Sequence, residues 1–542
     1  MVFRRIFVTL SILVIVFSIA GWIAWEKYGD AVIEAAYNGR SISFVNTYVA
    51  IHRSIDPADR TLDYFLLNGM PVIPRLCGMM LLLSIVALVS VRYGRSKIRR
   101  FFSEATSPLN LAAFRIVLFS TLLIYADLPL IIKYSGFPRE LVVAPPGLGW
   151  ILSFLPISPA WSGIAAGIFA LACVGALLGY RTRLSAGIAA VIGIYVLGIP
   201  QFFGKIDHYH HLLWFAAVVA ASPSGRVLSI DSLIAKQRSP GMTSPERSTQ
   251  YLLPLRFVML LMGVIYFFAG FWKFVIGGVG WGTGETMRDI LYAQWFRLDW
   301  IPALRIDQYP VLCSLSGVAV LIFELGFLFA LFFPRVRSFA AIGGIVFHLS
   351  VYFFAHINFW NLAVCYIVFV DLEPLFGKFA GRTISGEKEA SRPEIFSART
   401  PAFIVGIILV AVNVLCGFLL IDSWPFAVYP TFAAVEEKYL QTLAISVTNP
   451  DSSTTEVDPY RDRALQNAFH PSRLIGLCTQ VLWERDSLKA TNRAKSLLAL
   501  FSDADTTIRK AASVRLYRDV CTVVPGESKR NPVRRELLLR LP

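Results

Sequence analysis

The sequence predicts an all-α, polytopic membrane protein: a bundle of about eleven transmembrane helices with a small, mostly helical C-terminal extramembrane region. Two properties of the 542 residues predict this class. The first is that 56% are hydrophobic, giving a mean hydropathy of +0.59, and the second is that only 16% are charged. Soluble domains carry about 25% charged residues. An aromatic content of 13% also suits lipid-facing helices and interfacial belts.

Eleven apolar segments are candidate spans, because a helix needs roughly 20 residues to cross the hydrocarbon core of a bilayer. They are residues 6–25, 71–91, 109–132, 158–180, 184–203, 209–223, 252–275, 310–333, 338–357, 359–376 and 402–421. The first segment resembles a secretory signal peptide. Its apolar run is longer than the usual signal core, which favours an uncleaved anchor.

The Lys and Arg residues of the short loops predict the orientation, because they are enriched on the cytoplasmic side. With the N-terminus inside, the inner segments hold 20 of them and the outer segments hold 10. We therefore expect a multi-pass protein with a cytoplasmic N-terminus and a periplasmic or extracellular C-terminus. The net charge of +15 lies largely in these loops, and no nucleic-acid-binding motif accompanies it, so no nucleic-acid partner is expected.

The chain divides into three predicted parts. Residues 1–103 form a two-helix N-terminal membrane preface, residues 104–401 form an eight-span core, and residues 402–542 add a last span and a polar tail. In the tail, Leu, Ile and Val recur at three- and four-residue spacing over residues 490–519, which predicts a helix.

The tail contains two of the seven cysteines, Cys478 and Cys521. An exported region meets an oxidising compartment, so we expect these two to form a disulfide. The alternative is a pair of free, buried thiols.

Ionisable residues near membrane depth are candidates for chemistry, because burying a charge in a bilayer is costly. Arg115 lies about two turns inside its span, where a structural anchor is favoured over a catalytic role. His348 and His356 share one span, and we expect each to be buried and hydrogen-bonded.

Three histidines lie in the motif KIDHYHH at a predicted outer turn. The i, i+2, i+3 spacing of His208, His210 and His211 differs from the i, i+4 helical pair of zinc hydrolases. The spacing therefore favours histidines in contact with water at the membrane interface, and no metal is expected.

Lys273 follows sixteen uncharged residues at the predicted outer end of its span. Two interpretations stay open. It is an interfacial lysine whose stem packs on Trp272 and Phe274, or it is a partly desolvated amine that serves as a neutral base. The glycine-rich GGVGWGTG that begins at Gly277 would let the backbone approach a ligand closely.

Five segments occur in a recognisable order over residues 104–380: SPLNLAAFRIVLF, LLGYRTRLSAG, DHYHHLLWFAAVVAASPSGRVLSIDSL, YFFAGFWKFVIGGVGWGTGETM and FHLSVYFFAHINFW. This order resembles the HTTM family, which comprises the vitamin K-dependent gamma-glutamyl carboxylase and its bacterial relatives. The resemblance implies a protein of the bacterial inner (plasma) membrane. Trp272 stands where the family has a first lysine, and Asp207 stands where it has an asparagine.

The resemblance implies the residues of a site. The AGFWK motif places Lys273 on the catalytic base of the family, and the spacing to the SID motif places His208 on the family's histidine. Lys273 would then remove a proton from a reduced quinol, oxygen would yield an epoxide, and His208 would hydrogen-bond the quinone-derived oxyanion. We expect these two residues to lie close enough to share one ligand. Trp281, Gly284 and His348 are the implied substrate-binding residues.

The implied function is base-initiated oxygenation of reduced vitamin K or menaquinone by O2, alone or coupled to a carboxylation that consumes CO2. The expected partners are the lipid bilayer, the quinol and an exported protein or peptide. The alternative is a non-catalytic maturation or assembly factor that contacts exported partners through its tail. A transporter would be expected to show inverted repeats, and the sequence shows no convincing repeat.

Overall fold

The computed structural model groups the chain into two compact units. The first unit comprises Met1–Ser96, Ala269–Ile322 and Pro430–Pro542, and the second comprises Lys97–Phe268 and Phe323–Tyr429. The structure describes residues 2–42, 45–46, 49, 60–145, 154–204, 206–240, 246–375, 400–427, 432–433, 439–484, 486–525 and 532–541.

Helices make up most of the chain before the tail. They are α1 (Val2–Tyr37), α2 (Leu62–Gly69), α3 (Val72–Val89), α4 (Arg95–Ser103), α5 (Pro108–Tyr125), α6 (Leu128–Tyr134), α7 (Pro159–Leu178), α8 (Thr182–Val196), α9 (His211–Ala220), α10 (Ile230–Arg238), α11 (Thr249–Gly277), α12 (Gly280–Thr283), α13 (Thr286–Leu298), α14 (Pro310–Ala330), α15 (Pro334–Ala355), α16 (Trp360–Ala363) and α17 (Pro401–Phe418). A π-helical turn joins α3 to α4, and short 3₁₀ turns lie at Arg139–Leu141, Ile199–Phe202, Ile306–Gln308 and Val364–Phe369.

Among the described residues, nine helical segments are long and apolar enough to cross a membrane, which confirms the polytopic helical fold class. They are Phe7–Tyr37, Leu62–Ser103, Pro108–Tyr125, Pro159–Leu178, Thr182–Phe202, Thr249–Gly277, Pro310–Ala330, Pro334–Ala355 and Pro401–Phe418.

The spans predicted at 209–223 and 359–376 are shorter than expected. The structure has only the apolar helices His211–Ala220 and Trp360–Phe369 there. Ten α-helical residues cover about 15 Å, half of the ~30 Å hydrocarbon core. Eight of the ten residues of α9 are buried by other parts of the protein. Short or irregular segments are tolerated at membrane depth where protein surrounds them, and hydropathy alone does not distinguish such segments from lipid-facing helices.

One end of the second unit, called here the Arg115 end, brings together several loops and helix termini. The backbone of Thr106 pairs with that of Ser248, and Asn110 donates to Asp371. Glu104 forms ion pairs with Arg256 and Arg337. The Arg115 end is therefore formed by the regions that the sequence assigns to the inner loops at 224–250 and 335–337.

The opposite end of the second unit, called here the His208 end, has its own contacts. The Asn361 side chain donates to the backbone carbonyl of His208 at 3.3 Å, and Tyr125 donates to Asn358. Trp424 donates to the carbonyl of Ile194. The chain thus passes from the His208 end to the Arg115 end through α9, and again between Asn361 and Asp371. Both short helices complete crossings of the unit, so the predicted alternation of the loops is retained.

Which end faces the cytoplasm stays a prediction, and a reporter fusion tests it. The Lys and Arg distribution predicts that alkaline phosphatase fused after Pro542 is active, because this enzyme folds only outside the cytoplasm. Activity of a cytoplasmic reporter at the same position would contradict the orientation.

The tail forms a layered α+β structure within the first unit. Its strands are β1 (Tyr439–Thr448), β2 (Thr454–Val457), β3 (Ser513–Thr522) and β4 (Arg534–Leu541), and its helices are α18 (Arg463–Ala468), α19 (Pro471–Trp483), α20 (Ser487–Ala504) and α21 (Thr506–Arg509). The sheet is antiparallel in the order β2-β1-β3-β4. The helix predicted over 490–519 is right for α20 and α21, and its last seven residues, 513–519, belong to strand β3. Leu516 fits both the helical and the strand periodicity of apolar residues. Its segment forms a strand because it pairs with β1, which is distant in the sequence.

The predicted disulfide between Cys478 and Cys521 is absent, and both thiols are buried. Each sulfur instead has a hydroxyl neighbour: Cys478 interacts with Tyr460, and Cys521 lies 3.8 Å from the Thr442 hydroxyl on the neighbouring strand. Burial raises the pKa of both thiols, which keeps them in the unreactive protonated form.

Candidate functional site

Lys273 lies in the last two turns of α11, and its side chain is only 4% exposed. It follows Thr249 by 24 residues, or about 36 Å of helix, which is more than the thickness of a hydrocarbon core. Its ammonium nitrogen lies 5.0 Å from the ring centroid of Trp281, within cation–π range. The side chain is therefore packed inside the protein, with an aromatic ring as one wall.

Trp281 is held in place from two sides. Its indole nitrogen donates to the carbonyl of Phe432 at 3.0 Å, and Gly277 lies so close that a Cβ there would be 2.8 Å from the tryptophan Cβ. Gly284 ends α12, where its N–H donates to the carbonyl of Gly280. Trp281 and Gly284 thus have structural partners, and their contact with a substrate stays a prediction.

Arg75 closes the end of the helix that carries Lys273. Its guanidinium donates to the carbonyl of Ile276 at 2.7 Å and lies against Gly278, which has a φ of +63°. A cation that binds a terminal carbonyl stabilises the C-terminal end of a helix. The glycine-rich turn therefore accommodates protein side chains, where the sequence suggested access for a ligand.

The three histidines of KIDHYHH have different environments. His208 is half-buried, whereas His210 and His211 are fully buried. The ring of His210 packs against Trp214 and Trp424. The expectation of water-exposed histidines is therefore wrong for two of the three, because α9 is an interior helix.

His208 belongs to the second unit and Lys273 to the first. Their predicted proximity stays a prediction. Among the described residues, no group of three or more His, Cys, Asp or Glu side chains is arranged to hold a metal ion.

Arg115 is a structural anchor of the Arg115 end, as the sequence predicts. It is fully buried about 10 Å into α5. Its guanidinium donates to the carbonyl of Ser224 at 2.8 Å and to the carbonyl of Leu228. A buried guanidinium with these partners holds the loop between α9 and α10 in place.

Asp231 joins that loop to the start of α8 and gives the SID motif a structural role. Its carboxylate accepts from the backbone N–H groups of Arg181 and Thr182, both at 2.8 Å. Burial by itself would raise the pKa of Asp231, but the hydrogen bonds from Thr182 and Arg181 and the nearby Arg115 hold it below its ordinary value. The carboxylate is therefore charged at neutral pH.

His348 takes part in a buried hydrogen-bonded chain. Its Nε2 lies 2.6 Å from the hydroxyl of Tyr266, and that hydroxyl accepts from Tyr366 at 2.9 Å. The expectation that His348 is buried and hydrogen-bonded is thus confirmed, and its contact with a substrate stays a prediction. His356 differs, because it is exposed and stacks on Tyr352 at the C-terminal end of α15.

Three residues around His348 are missing from the candidates that the sequence provides: Tyr266, Tyr366 and Glu324. All three are buried, and Glu324 interacts electrostatically with Tyr266. Glu324 has a usable signal, since it is a carboxylate inside an apolar span and such residues mark functional sites. The tyrosines have none, because aromatic residues are common throughout these helices.

Gly344 makes room for this chain, and one substitution tests the packing. A Cβ at Gly344 would overlap the Tyr366 hydroxyl, whereas a Cβ at Gly343 would only touch Phe323 at 3.8 Å. Gly344→Ala is therefore expected to destabilise the protein by about 1–3 kcal/mol through overpacking. Gly343→Ala is the matched control and should leave the thermal unfolding midpoint unchanged. Equal midpoints for the two variants would contradict the described packing.

Comparison with protein-family models matches residues 105–373 to the HTTM domain. No curated protein and no solved structure matches the chain. The matched range contains Lys273, Trp281, His208 and the His348 chain, and it ends where Asp371 and Glu373 pair with Arg247. The chain is therefore a membrane protein that carries an HTTM domain over residues 105–373.

Proposed function

We propose that the protein oxygenates a reduced quinone in the membrane, with Lys273 as the base that starts the reaction. The observation that carries this proposal is the burial of the Lys273 amine beside Trp281. A lysine amine acts as a general base when it is positioned beside the group that loses the proton. The resemblance of the AGFWK motif to the catalytic segment of the carboxylase supports the same role.

The proposed reaction begins when the Lys273 nitrogen takes a proton from a quinol hydroxyl. The resulting ammonium lies over the face of Trp281, which stabilises it by a cation–π interaction. Trp281 thus favours the proton-transferred state, and His208 is proposed to donate a hydrogen bond to the oxyanion. The reaction balances as one quinol and one O2 giving one epoxide and one water.

Carboxylation is a second step that the same base chemistry permits. It would consume CO2 and act on an exported protein or peptide. We place epoxidation first because it needs only the quinol, O2 and the residues of the HTTM domain.

The experiment that tests the proposal uses the purified full-length protein with reduced menaquinone or reduced vitamin K in the presence of O2. Mass spectrometry should show an epoxide that accumulates with time and with the amount of protein. Product at the level of the protein-free reaction would contradict the proposal.

A non-catalytic assembly factor is the second candidate, and the edge strand β4 favours it. Most residues of β4 are exposed, and in the part of the chain that the structure describes the strand pairs only with β3. An exposed edge strand can bind an extended segment of another chain. Recovery of an exported protein by the full chain, but not by a chain that ends before Tyr439, would support this role.

A further inference from the structure

A set of ionisable side chains runs through the interior of the second unit. Its centre is the pair of hydrogen bonds that link Tyr366 to Tyr266 and Tyr266 to His348. All three residues are at most 5% exposed. They come from α11, α15 and the 3₁₀ turn after α16, so that three different elements converge on one hydroxyl group.

The set extends towards the Arg115 end through Glu324. This carboxylate lies six residues before the end of α14, or about 9 Å of helix. The turn that follows α14 belongs to the Arg115 end, because Arg337 donates to the carbonyl of Leu331 and pairs with Glu104. Glu324 is 3% exposed and interacts electrostatically with Tyr266.

The set extends towards the His208 end through two histidines. His211 interacts electrostatically with both His348 and His208. His208 is the half-buried member at that end, where its backbone carbonyl accepts from Asn361. His211 therefore lies between the exposed end of the unit and the buried centre.

The depths of the two central residues place both of them farther from the Arg115 end than Glu324. His348 follows the start of α15 at the Arg115 end by about 21 Å of helix, and Tyr266 follows the start of α11 by about 25 Å. Both lie deeper than Glu324. The carboxylate therefore lies nearest the Arg115 end, and the tyrosine and the histidine lie together at a greater depth.

Such a set is costly in a membrane protein unless it has a use. Ionisable groups at membrane depth are rare, and chains of Asp, Glu and His mark proton relays in pumps and transporters. A purely structural centre could satisfy Tyr266 with a backbone carbonyl and would not need an imidazole and a carboxylate on either side of it.

We propose that His208, His211, His348, Tyr266 and Glu324 form a proton-transfer path through the membrane domain. A proton that binds Nδ1 of His348 releases the proton on Nε2 to the Tyr266 oxygen. Tyr266 then passes its own hydroxyl proton towards Glu324. One proton enters and one leaves, only N–H and O–H bonds change, and no oxidant or reductant is needed.

In the proposed path, the steps between His208 and His211, between His211 and His348, and between Tyr266 and Glu324 would use a water molecule or the rotation of a side chain. Tyr366 is a positioning residue, since its hydroxyl donates to Tyr266 and fixes the orientation of that group. The Nε2 atom of His348 has Tyr266 as its hydrogen-bond partner. The Nδ1 atom of His348 is buried and has no hydrogen-bond partner among the described residues. Nδ1 is thus the atom at which a proton arrives.

The experiment measures proton flux into vesicles that contain the full-length protein and an internal pH-sensitive dye, driven by a potassium diffusion potential. Wild-type vesicles should acidify faster than protein-free vesicles. Tyr266→Phe removes one oxygen atom, and Glu324→Gln removes the titratable group; each should lower the rate to that of protein-free vesicles. Tyr352→Phe is the matched control on α15, where Tyr352 is 40% exposed, and it should keep the wild-type rate.

Three outcomes would overturn the proton path: a wild-type rate equal to that of protein-free vesicles, wild-type flux in both Tyr266→Phe and Glu324→Gln, or an equal loss of flux in Tyr352→Phe. Size-exclusion profiles and thermal unfolding midpoints check that each variant is folded. The assay contains no quinol and the path does not include Lys273. Its result is therefore independent of the proposed oxygenation.

Discussion

Replacing Lys273 by alanine is expected to lower the rate of quinol oxygenation by about 10²- to 10⁴-fold, the usual contribution of a positioned general base. The amine is buried beside Trp281, so its loss removes the proposed proton acceptor without exposing a new charge. Expression and membrane insertion should stay normal, because an alanine at the end of an apolar helix is compatible with both. The measurement is the initial rate of epoxide formation by mass spectrometry.

Lys273→Arg distinguishes two roles of Lys273: a base that accepts a proton, and a residue that only supplies a positive charge. A guanidinium stays protonated at any ordinary pH, so this variant should be as inactive as the alanine variant. Lys236→Ala, at an exposed lysine on α10, is the control and should have the wild-type rate. Normal turnover by Lys273→Arg would show that Lys273 supplies only a positive charge.

Arg115→Met is expected to destabilise the protein by about 3–6 kcal/mol, because it removes two buried hydrogen bonds from a charged donor, each worth about 1.5–3 kcal/mol. The methionine fills much of the volume of the arginine stem. The loss of stability therefore reports the loss of the guanidinium and not a loss of packing. Without it, the carbonyls of Ser224 and Leu228 lose their donors and Asp231 loses a nearby positive charge. The thermal unfolding midpoint of the purified protein measures the effect.

The control for Arg115 lies in the same loop. Arg226 is exposed, and Arg226→Met should change the free energy of unfolding by less than about 0.5 kcal/mol, as is usual for surface substitutions. An equally large destabilisation by both substitutions, or no effect of Arg115→Met, would contradict the anchor.

Hydropathy is a reliable guide to this fold, because lipid selects for long apolar helices. It fails at α9 and at Trp360–Phe369, where the apolar residues face protein. The tail shows a different limit. Strand β3 has a mixed periodicity that reads as helix, and only pairing between Ser446 and Arg515, far apart in the chain, makes it a strand.

The candidate site also contains residues that the sequence reveals and residues that it does not. Lys273 is recognisable because a single charge in a long apolar run is conspicuous. The partners of His348 are not recognisable, since Tyr266 lies 82 residues away from it and 100 residues away from Tyr366. Such contacts depend on helix packing. The expected pairing of Cys478 with Cys521 fails for a related reason: sequence position does not fix which atoms lie beside a sulfur.

The central claim is that Lys273 initiates the oxygenation of a quinol by O2, and isotope labelling tests it most directly. The purified protein is given reduced menaquinone under ¹⁸O2 in unlabelled water, with the Lys273→Ala variant run in parallel. We expect an epoxide that carries one ¹⁸O atom in the wild-type reaction and none above background in the variant. An epoxide without label, an equal yield from the variant, or no epoxide from the wild-type protein would contradict it.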